Sequence, residues 1–150
     1  MKFDKVLLAF IGTASMWTSM AAAGPYSDDL AKCLVKSTTK EDRVSLIRWL
    51  FAAASRHPAV SSIAKVSAAQ LDEANKTIGE LTMKLLTDTC KAEAQKAIQY
   101  EGLATLQLSF QVLGQVAGQE LFTSPEVAAG MAGLQKYLDG NQLKALAGTK

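Results

Sequence analysis

Histidine is almost missing from this chain: His57 is the only one in 150 residues, and no Gly-x-Ser-x-Gly or His-Glu-x-x-His motif occurs. Standing directly before Pro58, it reads as a C-terminal helix cap or surface residue rather than a catalyst. Cysteine is nearly as scarce, with only Cys33 and Cys90. Neither belongs to a Cys-x-x-Cys motif nor has a histidine beside it in sequence, so a reactive thiol is not indicated. One histidine and two paired cysteines also leave a transition metal short of ligands. Asp28 and Asp29 are better read as helix-start residues than as a cation site. The expectation is a protein that is not an enzyme and needs no cofactor.

Net charge is lacking as well. Residues 1–23 hold two lysines and one aspartate, so the remainder carries 14 basic and 13 acidic side chains and a formal charge of +1. Nothing in that balance favours nucleic acid, an anionic membrane or a polyacidic substrate, and no basic stripe with interleaved aromatics appears. Sustained alternation of period two, hairpin dipeptides and internal repeats are absent too, which argues against strands and solenoids.

What is present begins with an export signal. Lys2 and Lys5 precede the apolar run Val6 to Ala14, and Ala21-Ala22-Ala23 supplies small residues for cleavage near Ala23–Gly24. Thr and Ser interrupt the run, unlike a membrane anchor. No cysteine follows the cleavage point to carry a lipid. Residues 24–150 are therefore expected as one soluble helical domain, periplasmic or secreted. In such an oxidising compartment Cys33 and Cys90 are expected to pair. That link would stabilise the fold by about 4 kcal/mol in the chain-entropy treatment.

Helical spacing recurs along the rest. Ser27 reads as the N-cap of a first helix ending near Lys36. Thr38 or Thr39 opens a second, about Lys40 to Arg56, with Leu46, Ile47, Leu50, Phe51 and Ala54 on its core face. A short piece follows from Pro58 to Lys65. Ser67-x-x-Gln70 is a capping box for a third long helix, with Leu71, Ala74, Ile78, Leu81 and Leu85 as its stripe. Around Asp88-Thr89-Cys90 the stripe slips out of phase, so a bend or a new helix is expected there. Ser124-Pro125 starts a later helix, Asp139-Gly140-Asn141 reads as a turn, and Leu143 to Leu146 adds a final helical turn.

Gly102 to Gln119 contains no charged residue. Its apolar residues cover most of a helix circumference, so it is expected as the interior helix of an all-α, single-domain bundle of five or six helices. Two details of it bear on function. Gln107, Gln111, Gln115 and Gln119 form one polar row along an i, i+4 ridge, which is a solvent strip, a buried network or the lining of a groove. Gly114-x-x-x-Gly118 would let another helix of the domain pack closely. A second candidate surface is Trp49 with Arg48 and Arg56, the composition of a protein-binding hot spot, unless Trp49 is simply core.

Several stretches carry a resemblance: Cys33-Leu34-Val35-Lys36-Ser37-Thr38, Asp42-Arg43, Arg48-Trp49-Leu50-Phe51, His57-Pro58 and the second cysteine, Cys90. Together they resemble a family of small exported helical proteins from Gram-negative bacteria, over about residues 27–122. Some similar periplasmic proteins are immunity partners that neutralise a toxin delivered by a competing cell. Many of those are lipoproteins, whereas this chain has no lipid-bearing cysteine. The resemblance implies a protein partner and transfers no site residue. A carrier of a small apolar ligand and an acid-stress chaperone are the other two functions that fit an exported helical protein.

Overall fold

In the computed structural model, which describes residues 24–146 and Gly148, every regular element is helical. The expected signal peptide, residues 1–23, lies outside the described residues. The helices are α1 (Pro25–Ser37), α2 (Lys40–Ala54), α3 (Pro58–Ser61), α4 (Ala68–Lys84), α5 (Lys91–Glu101), α6 (Ala104–Phe122), α7 (Pro125–Ala132) and α8 (Gly140–Leu146). Eight α-helices exceed the expected five or six because the short pieces α3 and α8 are helices in their own right. The central helix is also not wholly uncharged, since α6 continues through Glu120.

Most starts follow from local chemistry. Thr39 and Asp42 form a reciprocal capping box for α2, and Ser67 and Gln70 do the same for α4. Ser124 caps α7 with Pro125 at its first position. Three starts differ from expectation. α1 begins at Pro25, before Ser27, because its cap comes from elsewhere in the chain. His57 caps the beginning of α3, its Nδ1 accepting from the Ala59 amide at 3.2 Å, rather than the end of α2. Asp139 accepts from the amides of Asn141 and Gln142, so the expected turn is the start of α8.

The phase slip near Cys90 has a structural cause. Leu85–Thr89 is a π-helical turn, closed by the Cys90 amide donating to the Leu85 carbonyl at 2.7 Å. A π turn absorbs one extra residue, so Leu85 and Cys90, five apart, both face inward and both are buried. Cys90 is there bonded to Cys33 of α1. The disulfide closes a core of Leu30, Leu34, Leu85, Ala94, Ala97 and Leu113, drawn from α1, the π turn, α5 and α6.

α1 and α6 make close neighbours because the buried ridge of α6 is slim: Thr105, Ser109, Leu113 and Ala117, each four residues from the last. Its two hydroxyls are both satisfied. Ser109 donates to the Ser27 carbonyl at 2.9 Å, and Thr105 to the Glu101 carboxylate at 3.5 Å. The glutamine row lies two residues further on, half a turn away, and is exposed throughout. α6 is thus buried along one face only, not around most of its circumference. Gly102, at φ +83°, makes the corner that brings α6 back along α5.

Candidate functional site

α2 packs against both α4 and α6, while α4 and α6 share no comparable interface. The result is a trough of about 700 Å³ with α2 between its two walls. Leu46, Ile47, Trp49, Leu50 and Phe51 come from α2; Asn75, Ile78, Gly79, Thr82 and Met83 from α4; Phe110, Gly114, Ala117, Gly118, Leu121 and Phe122 from α6. No lining residue is charged. Trp49 spans the α2–α4 seam, its indole Nε1 donating to Asn75 Oδ1 at 2.9 Å. That bond occupies one of the few polar groups in the trough, leaving an almost wholly apolar surface.

The apolar face of α2, expected in the core, is largely the lining of this trough. Leu50 and Phe51 stay 58% and 55% exposed, and only Ala52 of that helix is buried. Of the predicted hot-spot trio, the trough takes Trp49 alone. Arg48 lies on a smaller recess between α2 and α4, beside Ser45, Gln70 and Glu73. Arg56, exposed, follows the end of α2. Gln107, Gln111, Gln115 and Gln119 are exposed on α6, and none lines the trough. The structure therefore does not gather the seven predicted binding residues into one site.

Gly114 and Gly118 also play a different part from the one expected. A Cβ added at either position, or at Gly79, would meet nothing within 4 Å. They do not serve close packing inside the domain. Each costs roughly 0.5–1 kcal/mol against alanine in a helix, and no fold contact requires it. All three line the same trough, where the absent side chains add room. Open space is not peculiar to them, since Gly130, Gly133 and Gly140 have it too; what sets these three apart is that they line one uncharged trough. The usable sequence signal was this set of three helix-interior glycines together with an oversupply of large apolar residues on α2.

α2 and α6 are also joined by a charged clasp outside the trough lining. Arg43 of α2 donates through Nε to Glu120 of α6 at 2.8 Å and through an Nη atom to the Thr38 carbonyl at 2.7 Å. The bond from Arg43, followed by the attraction of its charge, holds the Glu120 carboxyl below the usual carboxylate range; partial burial opposes this. Far from the trough, Glu101 at the end of α5 accepts from Tyr26 N at 2.8 Å, Ser27 N at 2.9 Å and Ser27 Oγ at 2.5 Å. This is the missing cap of α1. The Ser27 hydroxyl, then the Tyr26 and Ser27 amides, lower the Glu101 pKa against the opposing effect of burial. Thr105 adds a weaker bond in the same direction.

No acidic or basic side chain lines the trough. What the surface can do is remove apolar area from water, with two glycine-lined walls that admit a bulky or closely approaching guest. Among the described residues no cluster of His, Cys, Asp and Glu could hold a metal ion, and no helix is long and apolar enough to cross a membrane. The chain matches no protein-family model, and no curated protein or solved structure is similar enough to count as a match, so its function must be read from its own geometry.

Proposed function

We propose that this is a non-enzymatic binding protein of an oxidising, extracytoplasmic compartment, and that it receives an apolar helix of another protein in the trough between α2, α4 and α6. The observation that carries this reading is the convergence of Gly79, Gly114 and Gly118 on one uncharged surface. Helix-in-groove recognition uses such a surface: apolar anchors enter a groove, and glycines let the backbones approach. Trp49, Phe110 and Phe122 supply the large aromatic area that dominates binding energy at interfaces. The disulfide supports the oxidising compartment. The resemblance of residues 27–122 to exported helical proteins, some of them immunity proteins, supports an inhibitor or immunity role toward a secreted antibacterial effector.

The test has two arms. Deletion of the gene is expected to make cells lose in co-culture with a competitor that delivers the effector, and the wild-type protein restores them. Gly118→Trp, which fills the trough while leaving the core untouched, is expected to fold, keep its disulfide and fail to restore. Equal rescue by both proteins would sink the trough as the binding site.

A second reading, a carrier of a small apolar ligand, is favoured by the size of the trough. About 700 Å³ falls within the ~300–1,000 Å³ typical of ligand sites. Such sites usually bury most of the ligand, whereas Leu50, Phe51, Met83 and Phe122 of this one stay more than half exposed, which favours a protein helix. Native mass spectrometry of the purified protein separates the two: a co-purified apolar molecule, lost in Gly118→Trp, would establish the carrier.

A further inference from the structure

The cap that Glu101 supplies to α1 brings a negative charge with it. Glu101 is half-buried and has four donors, the Tyr26 and Ser27 amides and the Ser27 and Thr105 hydroxyls, all of them neutral. Among the described residues it pairs with no lysine or arginine. The carboxylate lies where a capping side chain of Gly24, the N-cap residue, would otherwise stand. A Cβ added to Gly24 would overlap both its oxygens and the carbon between them. Gly24 is itself fixed, its carbonyl accepting from the Asp28 amide at 3.0 Å and the Ser27 hydroxyl at 3.1 Å. Its nitrogen is bonded to the same α-carbon, about 1.5 Å away, and so sits beside Glu101 as well. The other charged side chains on this part of α1 and α5, Asp28, Asp29 and Lys96, are exposed. α6 brings hydroxyls here and no charge before Glu120.

Cleavage of the Ala23–Gly24 bond is what the sequence expects on export. The hydroxyl of water joins the Ala23 carbonyl carbon as the C–N bond breaks, and a signal peptidase supplies the catalysis. One proton of the water goes to the nitrogen. The new acid's own proton follows it, leaving a carboxylate on Ala23 and an ammonium on Gly24 at neutral pH. We propose that this new α-ammonium of Gly24 pairs with the Glu101 carboxylate, so that processing completes the fastening of α1. This rests on the reading of residues 1–23 as a cleaved export signal. An ammonium at the start of a helix opposes the helix dipole, and would by itself weaken α1. Glu101 reverses that sign by meeting the positive charge directly. What is fastened matters to the whole domain, since α1 contributes the fully buried Leu30 and Leu34 and the disulfide partner Cys33. The chain therefore reaches full stability only after it has been cut.

Electrospray mass of the protein recovered from the periplasm of a Gram-negative host is expected to match residues 24–150. Cleavage at another bond would overturn the pairing and leave export intact. An uncut chain kept in the cytoplasm would overturn export and the pairing together. Two disulfide-bonded proteins are then compared in urea, one beginning at Gly24 and one keeping Ala21 to Ala23, so that the Gly24 nitrogen stays an amide. At pH 7 the extension is expected to lower the folding equilibrium constant about two- to fivefold. With Glu101→Gln in both, the order is expected to reverse, because the ammonium then meets only the helix dipole. An extension without effect, or the same loss in the Glu101→Gln pair, would overturn the pairing. A titration that needs no variant follows the Gly24 α-carbon by NMR in ¹³C-glycine-labelled protein. The folded amine is expected to titrate above the ~7.7–8.0 of a free α-amino group. The gain from cutting is then whole below that range and is lost as pH rises through the folded value. Titration within or below that range would also overturn the pairing.

Discussion

Glu101 accepts the amide protons of Tyr26 and Ser27 only through its carboxylate oxygens, and its charge faces the positive end of α1. Its pKa is lowered in the folded chain. A carboxylate shifted that way contributes stability in full above its unfolded pKa of about 4.3 and loses it as pH falls through the folded value. Glu120 acts in the same direction through Arg43. Urea midpoints should therefore fall steeply below about pH 4. Glu101→Gln should lower the midpoint at pH 7, and the gap between variant and wild type should narrow in acid. A gap that stays constant with pH would mean the charge is not what caps α1. Gly24→Ala is expected to destabilise through the same cap, because its Cβ would run into the Glu101 carboxylate. This cap was not legible in the sequence: partners 74 and 75 residues apart leave no local pattern. Ser27, taken as the cap itself, was the right residue in the wrong role.

At the scale of elements the reading was far more complete, because capping boxes, proline positions and apolar stripes are local. Thr39 with Asp42, Ser67 with Gln70, and Ser124-Pro125 all start helices as their spacing indicated. The phase slip at Asp88 to Cys90 was visible as well, but the sequence could not choose between a bend and a new helix. The π turn resolves it, keeping Cys90 on the face of Leu85 and within reach of α1. The disulfide therefore fastens α1 to the start of α5, the two helices that share most of the core with α6. Cys33→Ala with Cys90→Ala should cost about 2–5 kcal/mol in urea unfolding at pH 7, through the less constrained unfolded chain. Because these cysteines lie away from the trough, any residual folded fraction should still bind a partner. Loss of binding in a fully folded double variant would tie the trough to the bond.

For the whole molecule, all-α organisation with one disulfide was legible, and the arrangement of faces was not. α2 offers an apolar face, and its sequence does not say whether one neighbour or two will cover it. Leu50 and Phe51 were assigned to the core for that reason; they line the trough because α4 and α6 stand apart. The glutamine row failed as a groove for a simpler reason: it lies opposite the ridge that packs on α1. Open space beside the three wall glycines gives a direct stability prediction. Gly79→Ala, Gly114→Ala and Gly118→Ala should each raise stability by about 0.5–1 kcal/mol, since a methyl group replaces backbone freedom and meets no neighbour. Thermal melts of the three single variants and the triple variant would show near-additive gains; losses would mean the trough closes on itself.

On the proposed reading of the trough, those same glycines set fold stability and binding in opposition under selection. A library selected only for survival of heat would be expected to collect alanine and larger residues at positions 79, 114 and 118, giving a sturdier chain with a shallower trough. A library selected for protection of living cells should keep them. Sequencing the two pools side by side would then test whether the trough is a binding surface; the same residues in both pools would count against it.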